Sequence, residues 1–373
     1  MEKIGLYIHI PFCVSKCPYC DFHSSAIGTP LQVQTRLDAY TDALLSSMKR
    51  WAERLPVTAD TLYFGGGTPS LMGGARLAKV VAEAQRLFGL RNAEITMEAN
   101  PADDLVDTLS AFAAAGGNRL SLGMQSAVPA ELALLGRRHT PADVARTVAD
   151  ARRAGIDNIS LDVMLGIGGQ TPASACRSVD VAAELGATHL SAYLLKIEPN
   201  TPYGVHPPAD LPSEDETVDL YLAAFERMEY HGYRQYELSN AALPGRESRH
   251  NLKYWLSDPY LGIGPAASSC VGGKRFTYPR DTAAFIAGCE PEEDPCEGAA
   301  VGSPEEYALL RLRLAEGLSM EEFAVRFGKA LPVEWIRNAS ALPAQLVEVN
   351  SEKIRLTREG FLLSNSIISR IIA

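Results

Sequence analysis

With 373 residues, 46% of them hydrophobic and 21% charged, the chain has the composition of a folded protein large enough for one barrel-sized domain and a smaller one. Its 45 acidic against 35 basic side chains leave a formal net charge of -10, which argues against nucleic acid as the main partner, because phosphate binding needs clustered Lys and Arg. No apolar run approaches the ~20 residues of a membrane span, and the N-terminus lacks the charged, apolar and cleavage regions of a secretory signal.

The first predicted element is a buried strand over the apolar run Ile4 to Ile10. Cys13, Cys17 and Cys20 follow at once, three of the seven cysteines within eight residues. An odd trio this close cannot pair off as disulfides, whereas three thiolates can hold a metal or a cluster. On a four-iron cluster they leave one iron open to a small molecule. Two other readings stand beside this one. Zinc could be completed by His9 or His23, although structural zinc usually draws its ligands in two separated pairs, or the thiols could carry no metal. A cluster of this kind makes the reducing cytoplasm the expected location.

Helix-like and strand-like stretches then alternate. A helix from about Leu37 to Arg54 precedes the strand Thr61 to Phe64, and a helix near Ala75 to Phe88 precedes the strand Glu94 to Glu98. Next come a helix near Asp104 to Ala115, the strand Arg119 to Leu122, a helix near Pro141 to Ala154, the strand Asn158 to Leu165, a helix near Ala173 to Leu185 and the strand Thr188 to Ile197. Six strands separated by helices predict an α/β fold with a parallel sheet and right-handed crossovers. Six units make an open (β/α)6 three-quarter barrel, since closure takes eight, and the site belongs at the C-terminal strand ends.

Beyond Ser213 the repeat stops. A helix near Glu214 to Tyr230 leads into an aromatic-rich stretch, Tyr233 to Tyr278, that reads as irregular, and the acidic run Glu290 to Glu297 reads as a linker. After Ser303 two helical stretches, short strands around Leu346 to Val349 and Lys353 to Leu356, and a last helix predict a small α+β winged-helix-like domain. Its nine basic and nine acidic side chains cancel, so packing or a lid suits it better than DNA binding. The predicted domains are a core over 1–235, a motif region and linker over 236–300, and the winged-helix-like domain over 301–373.

Polar residues mark the strand ends. Gly65-Gly66-Gly67-Thr68-Pro69 closes the second strand, where glycines admit positive φ and close approach of backbone to a ligand. Glu98 closes the third strand and Gln125 follows the fourth. Asp162 stands inside an otherwise apolar fifth strand and needs a partner, for which Arg137 is the nearest basic candidate.

The cysteine spacing resembles that of the radical S-adenosylmethionine (SAM) superfamily, in which the open iron of a 4Fe-4S cluster chelates SAM. That resemblance assigns the cluster to Cys13, Cys17 and Cys20, and the SAM amino group to Gly66, Gly67 and Thr68. More narrowly, Tyr7, Tyr19, Gly66, Gly67, Thr68, Glu98, Gln125, Arg137 and Asp162 match SAM-contacting positions of the oxygen-independent coproporphyrinogen III oxidases and the related HemW-type heme chaperones. The match runs from Leu6 into the C-terminal domain. In such proteins the cluster reduces SAM to a 5'-deoxyadenosyl radical, and some members hold a second SAM near the positions of Tyr19, Gln125, Arg137 and Asp162.

Three features divide the branches. Phe22 stands where the oxidases have a fourth cysteine, and only 12 residues precede Cys13 where the oxidases carry a longer extension. His250-Asn251-Leu252-Lys253-Tyr254-Trp255 matches the HNxxYW motif of the chaperones, in which it is associated with heme. An imidazole can ligate heme iron, and Tyr and Trp can pack on the porphyrin face. The resemblance therefore implies a heme chaperone that holds heme through the His250 region and passes it to an unidentified acceptor protein. The alternative is an enzyme that oxidatively decarboxylates coproporphyrinogen III. Departures from the pattern are Ala266-Ala267-Ser268 in place of Gly-Ala-His and Ile167-Gly168-Gly169-Gln170 in place of Leu-Pro-Gly-Gln. Cys176, Cys270, Cys289 and Cys296 are scattered and receive no role, although Cys289 and Cys296 could offer a heme thiolate.

Overall fold

Successive side chains of a strand face opposite ways, and here the two faces have opposite chemistry. Along β1 (Lys3–Ile10), Ile4, Leu6, Ile8 and Ile10 are fully buried on one face, while Gly5, Tyr7 and His9 occupy the other. The same alternation runs through β2 (Thr58–Gly66), β3 (Glu94–Ala99), β4 (Arg119–Gln125), β5 (Asn158–Leu165) and β6 (His189–Leu194). Register aligns the polar positions across the sheet: Tyr7 with Tyr63, Tyr63 with Thr96, Glu98 with Ser121, Ser121 with Ser160, and Asp162 with Ser191. The six strands are parallel and follow one another in order, as the predicted open (β/α)6 barrel requires. Their apolar outer face is sealed by helices, among them α1 (Pro30–Arg54) and α2 (Gly74–Phe88), whose Leu77, Val80, Val81, Ala84 and Phe88 are buried in the same core. Their polar inner face lines a lumen. Alternation of this kind separates the barrel from an ordinary parallel sheet, which is apolar on both faces.

This computed structural model describes residues 2–28, 30–294 and 300–373. Among them, the strand-to-helix joints carry ordinary start signals. Thr140 and Thr171 each accept a backbone N–H three residues on, with Pro at the first helical position, and Ser213 forms the same reciprocal cap with Glu216.

The stretch Tyr233 to Tyr278 differs from its irregular reading. It holds β7 (Arg234–Gln235), β8 (Asn240–Ala242), β9 (Tyr260–Ile263), β10 (Ser268–Val271) and β11 (Lys274–Thr277). With β12 (Glu292–Glu293), these extend the sheet to twelve strands, in the order β12-β11-β10-β9-β1-β2-β3-β4-β5-β6-β8-β7. β9 runs parallel to β1 and widens the barrel wall by a seventh parallel strand. Strands of two to four residues are too short for a period of two to show in sequence, which is why they read as loop. The end of the predicted linker, residues 295–297 with Cys296 among them, lies outside the described residues.

The C-terminal domain has a separate core built on Phe323, Trp335, Ile354 and Ile371. Its three short strands, Leu318–Ser319, Val347–Val349 and Lys353–Leu356, pair antiparallel and are flanked by helices, the winged-helix-like pattern expected. No helix among the described residues is long and apolar enough to cross a membrane.

Candidate functional site

The cysteine loop leaves the end of β1 and is laced to the glycine loop after β2. Gly67 N–H donates to the Ile10 carbonyl (2.8 Å) and Thr68 N–H to the Phe12 carbonyl (2.7 Å). The lacing depends on missing side chains. Gly66 has φ +113, and a Cβ there would come within 2.6 Å of the His9 ring; a Cβ on Gly67 would come within 2.6 Å of the Phe12 carbonyl oxygen. Two of the three sulfurs receive donors from outside the loop. The Thr68 hydroxyl donates to Cys13 Sγ at 3.6 Å, and the Arg137 guanidinium to Cys17 Sγ at 3.5 Å. Both are donor contacts of the kind that a ligating sulfur accepts. All three thiols are half-buried and in no disulfide, and the neighbouring Cys17 and Cys13 add to burial in raising the Cys20 thiol. Three free thiols on one loop are the donor set of a cluster with one iron left open, whereas no three His, Cys, Asp or Glu side chains among the described residues are placed to hold a single metal ion. His9, a candidate fourth ligand for zinc, has both ring nitrogens engaged, Nδ1 with the Tyr7 hydroxyl (3.0 Å) and Nε2 with the His23 carbonyl (2.8 Å).

Below the thiols, Glu98 accepts from the Tyr63 hydroxyl (2.8 Å) and from Gly66 N–H (3.1 Å). Burial, with the negative charge of Asp162 nearby, pushes its carboxyl up to about 7 despite those two donors. Asp162 is pushed up to about 6 by burial, against hydrogen bonds from Ser191 and Ser121. Arg137 is not its partner in the way the sequence suggested. The guanidinium turns to Cys17 and to the Gly123 carbonyl (2.9 Å), and Asp162 is served by serines because its inward neighbours on β4 and β6 are Ser121 and Ser191. Gln125, at φ +64, accepts the Tyr193 hydroxyl at 2.6 Å, and the Tyr19 ring lies 6.3 Å from Tyr203 across the same mouth. A non-glycine residue held at positive φ is uncommon, and here it swings the Gln125 side chain into the lumen.

His250 lies elsewhere than the sequence suggested. Its motif is a short helix, α3 (Arg249–Trp255), capped by Ser248 and by Glu94, whose carboxylate accepts the backbone N–H of Arg249 and of His250 (both 3.0 Å). The imidazole is 1% exposed at the floor of the barrel. Its Nδ1 is bonded to Thr61 Oγ1 (2.8 Å), its Nε2 to the Tyr254 hydroxyl (2.9 Å), and its ring stacks on Tyr63 at 5.1 Å. Neither nitrogen is turned to a cavity, so His250 is a packed part of the barrel and not a solvated ligand on a loop. Burial holds it neutral, its pKa lowered to about 3.

The structure thus gathers Tyr7, Tyr19, Gly66, Gly67, Thr68, Glu98, Gln125, Arg137 and Asp162 around the thiols, with His250 a layer below. Sequence reasoning passed over Tyr63, Tyr193, Ser121 and Ser191. A parity signal existed for Ser121, which lies at even spacing from Gln125 on β4 and so on the same face, whereas on β2 and β6 no recognised site residue stood at even spacing from the other three.

Family comparisons agree with this geometry. The chain matches the Radical SAM superfamily over residues 7–182 and the HemN C-terminal domain over residues 303–363. It is 35% identical to the heme chaperone HemW of Escherichia coli over 384 residues, covering 100% of this chain and 99% of that protein. Against the heme chaperone HemW of Mycobacterium tuberculosis it is 34% identical, covering 100% and 95%. The fold superposes on coproporphyrinogen III oxidase (HemN) from Escherichia coli with a TM-score of 0.82 at 22% identity, covering 99% of this chain and 90% of that one. The chain therefore belongs to the radical SAM superfamily and, within it, to the oxygen-independent coproporphyrinogen III oxidase-like family that includes the heme chaperone HemW.

Proposed function

We propose that this protein is a cytoplasmic heme chaperone that binds heme, passes it to an acceptor protein, and carries a SAM-binding 4Fe-4S cluster. The observation that carries the reading is the thiol trio with donors aimed at two of its sulfurs, in a chain similar over its whole length to proteins named heme chaperone. Cys13, Cys17 and Cys20 would hold the cluster, which when bound supplies an open iron for SAM and an electron for its cleavage. Arg137 and Thr68 offset thiolate charge there. Glu98, its carboxylate already oriented by Tyr63 and Gly66, would receive the SAM amino group, and a cation beside it would draw its pKa back down. Tyr7 and the backbone of Gly66 and Gly67 would line the same pocket, with Tyr19, Gln125, Arg137 and Asp162 on its far side.

Phe22 favours the chaperone over the oxidase. Its ring is 66% exposed at the position where the oxidase pattern has a fourth cysteine. The test incubates reconstituted protein anaerobically with coproporphyrinogen III, SAM and a reductant, and separately titrates it with hemin. Hemin binding without protoporphyrinogen formation is expected. Protoporphyrinogen as product would make the protein the enzyme instead.

A further inference from the structure

Resting on the heme-carrier reading, the structure says where heme could enter. A cavity of about 310 Å³ runs along the lumen face of β1 and β9, where the barrel wall departs from its (β/α) repeat, and opens beside the cysteine loop. Tyr254 and Tyr260, packed edge to face at 4.7 Å, form its inner wall. Phe22, His23 and Arg280 form its rim.

The rim offers what an iron porphyrin needs. Heme requires an axial ligand, a cation for its propionates and flat apolar walls. His9, which also lines the cavity, has both nitrogens engaged. His250 and His189 are buried with both nitrogens bonded, the latter to Ser160 and Tyr236. His231 is tied to Asp180 between two outer helices, and His139 is buried against the Met124 carbonyl. His23 is different. It is half-buried, its Nε2 makes one long contact to Thr282 Oγ1 (3.3 Å), and Nδ1 has no hydrogen bond among the described residues. Arg280 donates to the Asp21 carbonyl (2.8 Å) and pairs with no carboxylate among the described residues, leaving its charge for an anion.

We infer that this cavity takes one edge of the heme, that His23 is the axial ligand to its iron through the ring nitrogen left unbonded, and that Arg280 pairs with a propionate. The cavity is too small to enclose a tetrapyrrole, so the other edge stays outside against Phe22, as suits a cargo that must be released. The inference gives the HNxxYW motif a different part. Tyr254 supplies a wall of the cavity, and His250 is a positioning residue that holds the Tyr254 hydroxyl from the dry side.

The experiment uses the full chain with its cluster reconstituted anaerobically, titrated with hemin and read, after reduction, by the iron–imidazole stretching band in resonance Raman, which only a histidine-bound heme gives. Wild type should show a histidine-ligated signal. His23→Gly should lose that signal with an intact iron count, and added imidazole should restore it, which separates loss of a ligand from loss of fold. His231→Ala, at an imidazole held by Asp180 away from the cavity, should retain the signal. Arg280→Gln should weaken hemin by about tenfold and hemin dimethyl ester, whose propionates are blocked, hardly at all. An unchanged signal in His23→Gly, or failure of imidazole to restore it, overturns the assignment of His23 and leaves the carrier reading standing. Absence of hemin binding by wild type overturns the carrier reading itself.

Discussion

The lumen has two layers, and they are built differently. The lower layer, Thr61, Glu94, Ser160, His189 and His250, is closed on itself: both nitrogens of each histidine and both oxygens of Glu94 have partners within hydrogen-bonding distance. Beside this set Arg119 is 1% exposed and its Nε, like Thr96 Oγ1, has no hydrogen-bond partner among the described residues, so closure holds for the histidines and Glu94 and not for every buried group. The upper layer, Tyr7, Glu98, Asp162, Gln125 and Arg137, is open toward the thiols, and its carboxyls are held away from their ordinary pKa by burial with no cation bonded to them. A closed network fixes shape, because any missing partner leaves a buried polar group unpaired. An open one is poised for a charged ligand. We read the lower layer as structural and the upper one as the candidate ligand layer, although Glu94 and Glu98 share β3 and Ser160 and Asp162 share β5.

The largest effect should come from the thiols above the upper layer. Replacing Cys13, Cys17 or Cys20 by Ser should abolish the about four iron per chain expected after anaerobic reconstitution. One zinc per chain with no iron uptake would reject the cluster. Next in size, Glu98→Ala should weaken SAM by about tenfold or more, measured by equilibrium dialysis, at unchanged iron content, since a charge-assisted hydrogen bond is lost. Unaltered affinity would move SAM elsewhere in the lumen. In the lower layer, His250→Ala removes two buried hydrogen bonds and a stacked ring and leaves Thr61 and Tyr254 short of a partner. A loss of about 3 kcal/mol in chemical denaturation is expected, with the iron count preserved. A variant of wild-type stability would show that the layer is not closed.

What the sequence disclosed follows the same division. The upper layer was legible because its residues sit at strand ends, where polar side chains interrupt long apolar patterns, and because the cysteine spacing admits few chemistries. The six strands were legible for the same reason, their outer faces being unbroken runs such as Ile4, Leu6, Ile8 and Ile10. The lower layer was not. Its polar residues share strands with that apolar face, so His189 and Ser160 read as ordinary variation, and its floor is supplied by α3 from a stretch about 190 residues further on than Thr61. No local pattern tells that His250 will meet Thr61. The short strands β7 to β11 were hidden by length alone, and with them the seventh parallel strand that makes room for the cavity beside β1.

The smallest expected effect is the one that separates the layers by sign. In the upper layer, Glu98 has a folded pKa raised from 4.5 to about 7, so between those values the folded state holds a proton that the unfolded state has released. Its contribution to stability is present at low pH and declines as pH rises through that window. In the lower layer, His250 has a folded pKa lowered from 6.5 to about 3, so between those values the unfolded state binds a proton that the folded state refuses, and stability rises with pH until about 6.5. Between about pH 4.5 and 6.5 the two therefore oppose each other. Denaturation of the cluster-free protein should show this as differences between chains. Relative to wild type, Glu98→Gln should gain stability steadily as pH climbs from about 4.5 to 7, because over that window the wild-type unfolded state is stabilised by ionising while the folded carboxyl keeps its proton, and the amide titrates in neither state. Relative to wild type, His250→Asn should lose progressively more as pH climbs from about 3 to 6.5, because only wild type is relieved of a proton penalty it carries at acid pH. Parallel pH profiles for all three chains would mean that neither layer titrates with folding, and slopes of the same sign would remove the distinction between an open upper layer and a closed lower one.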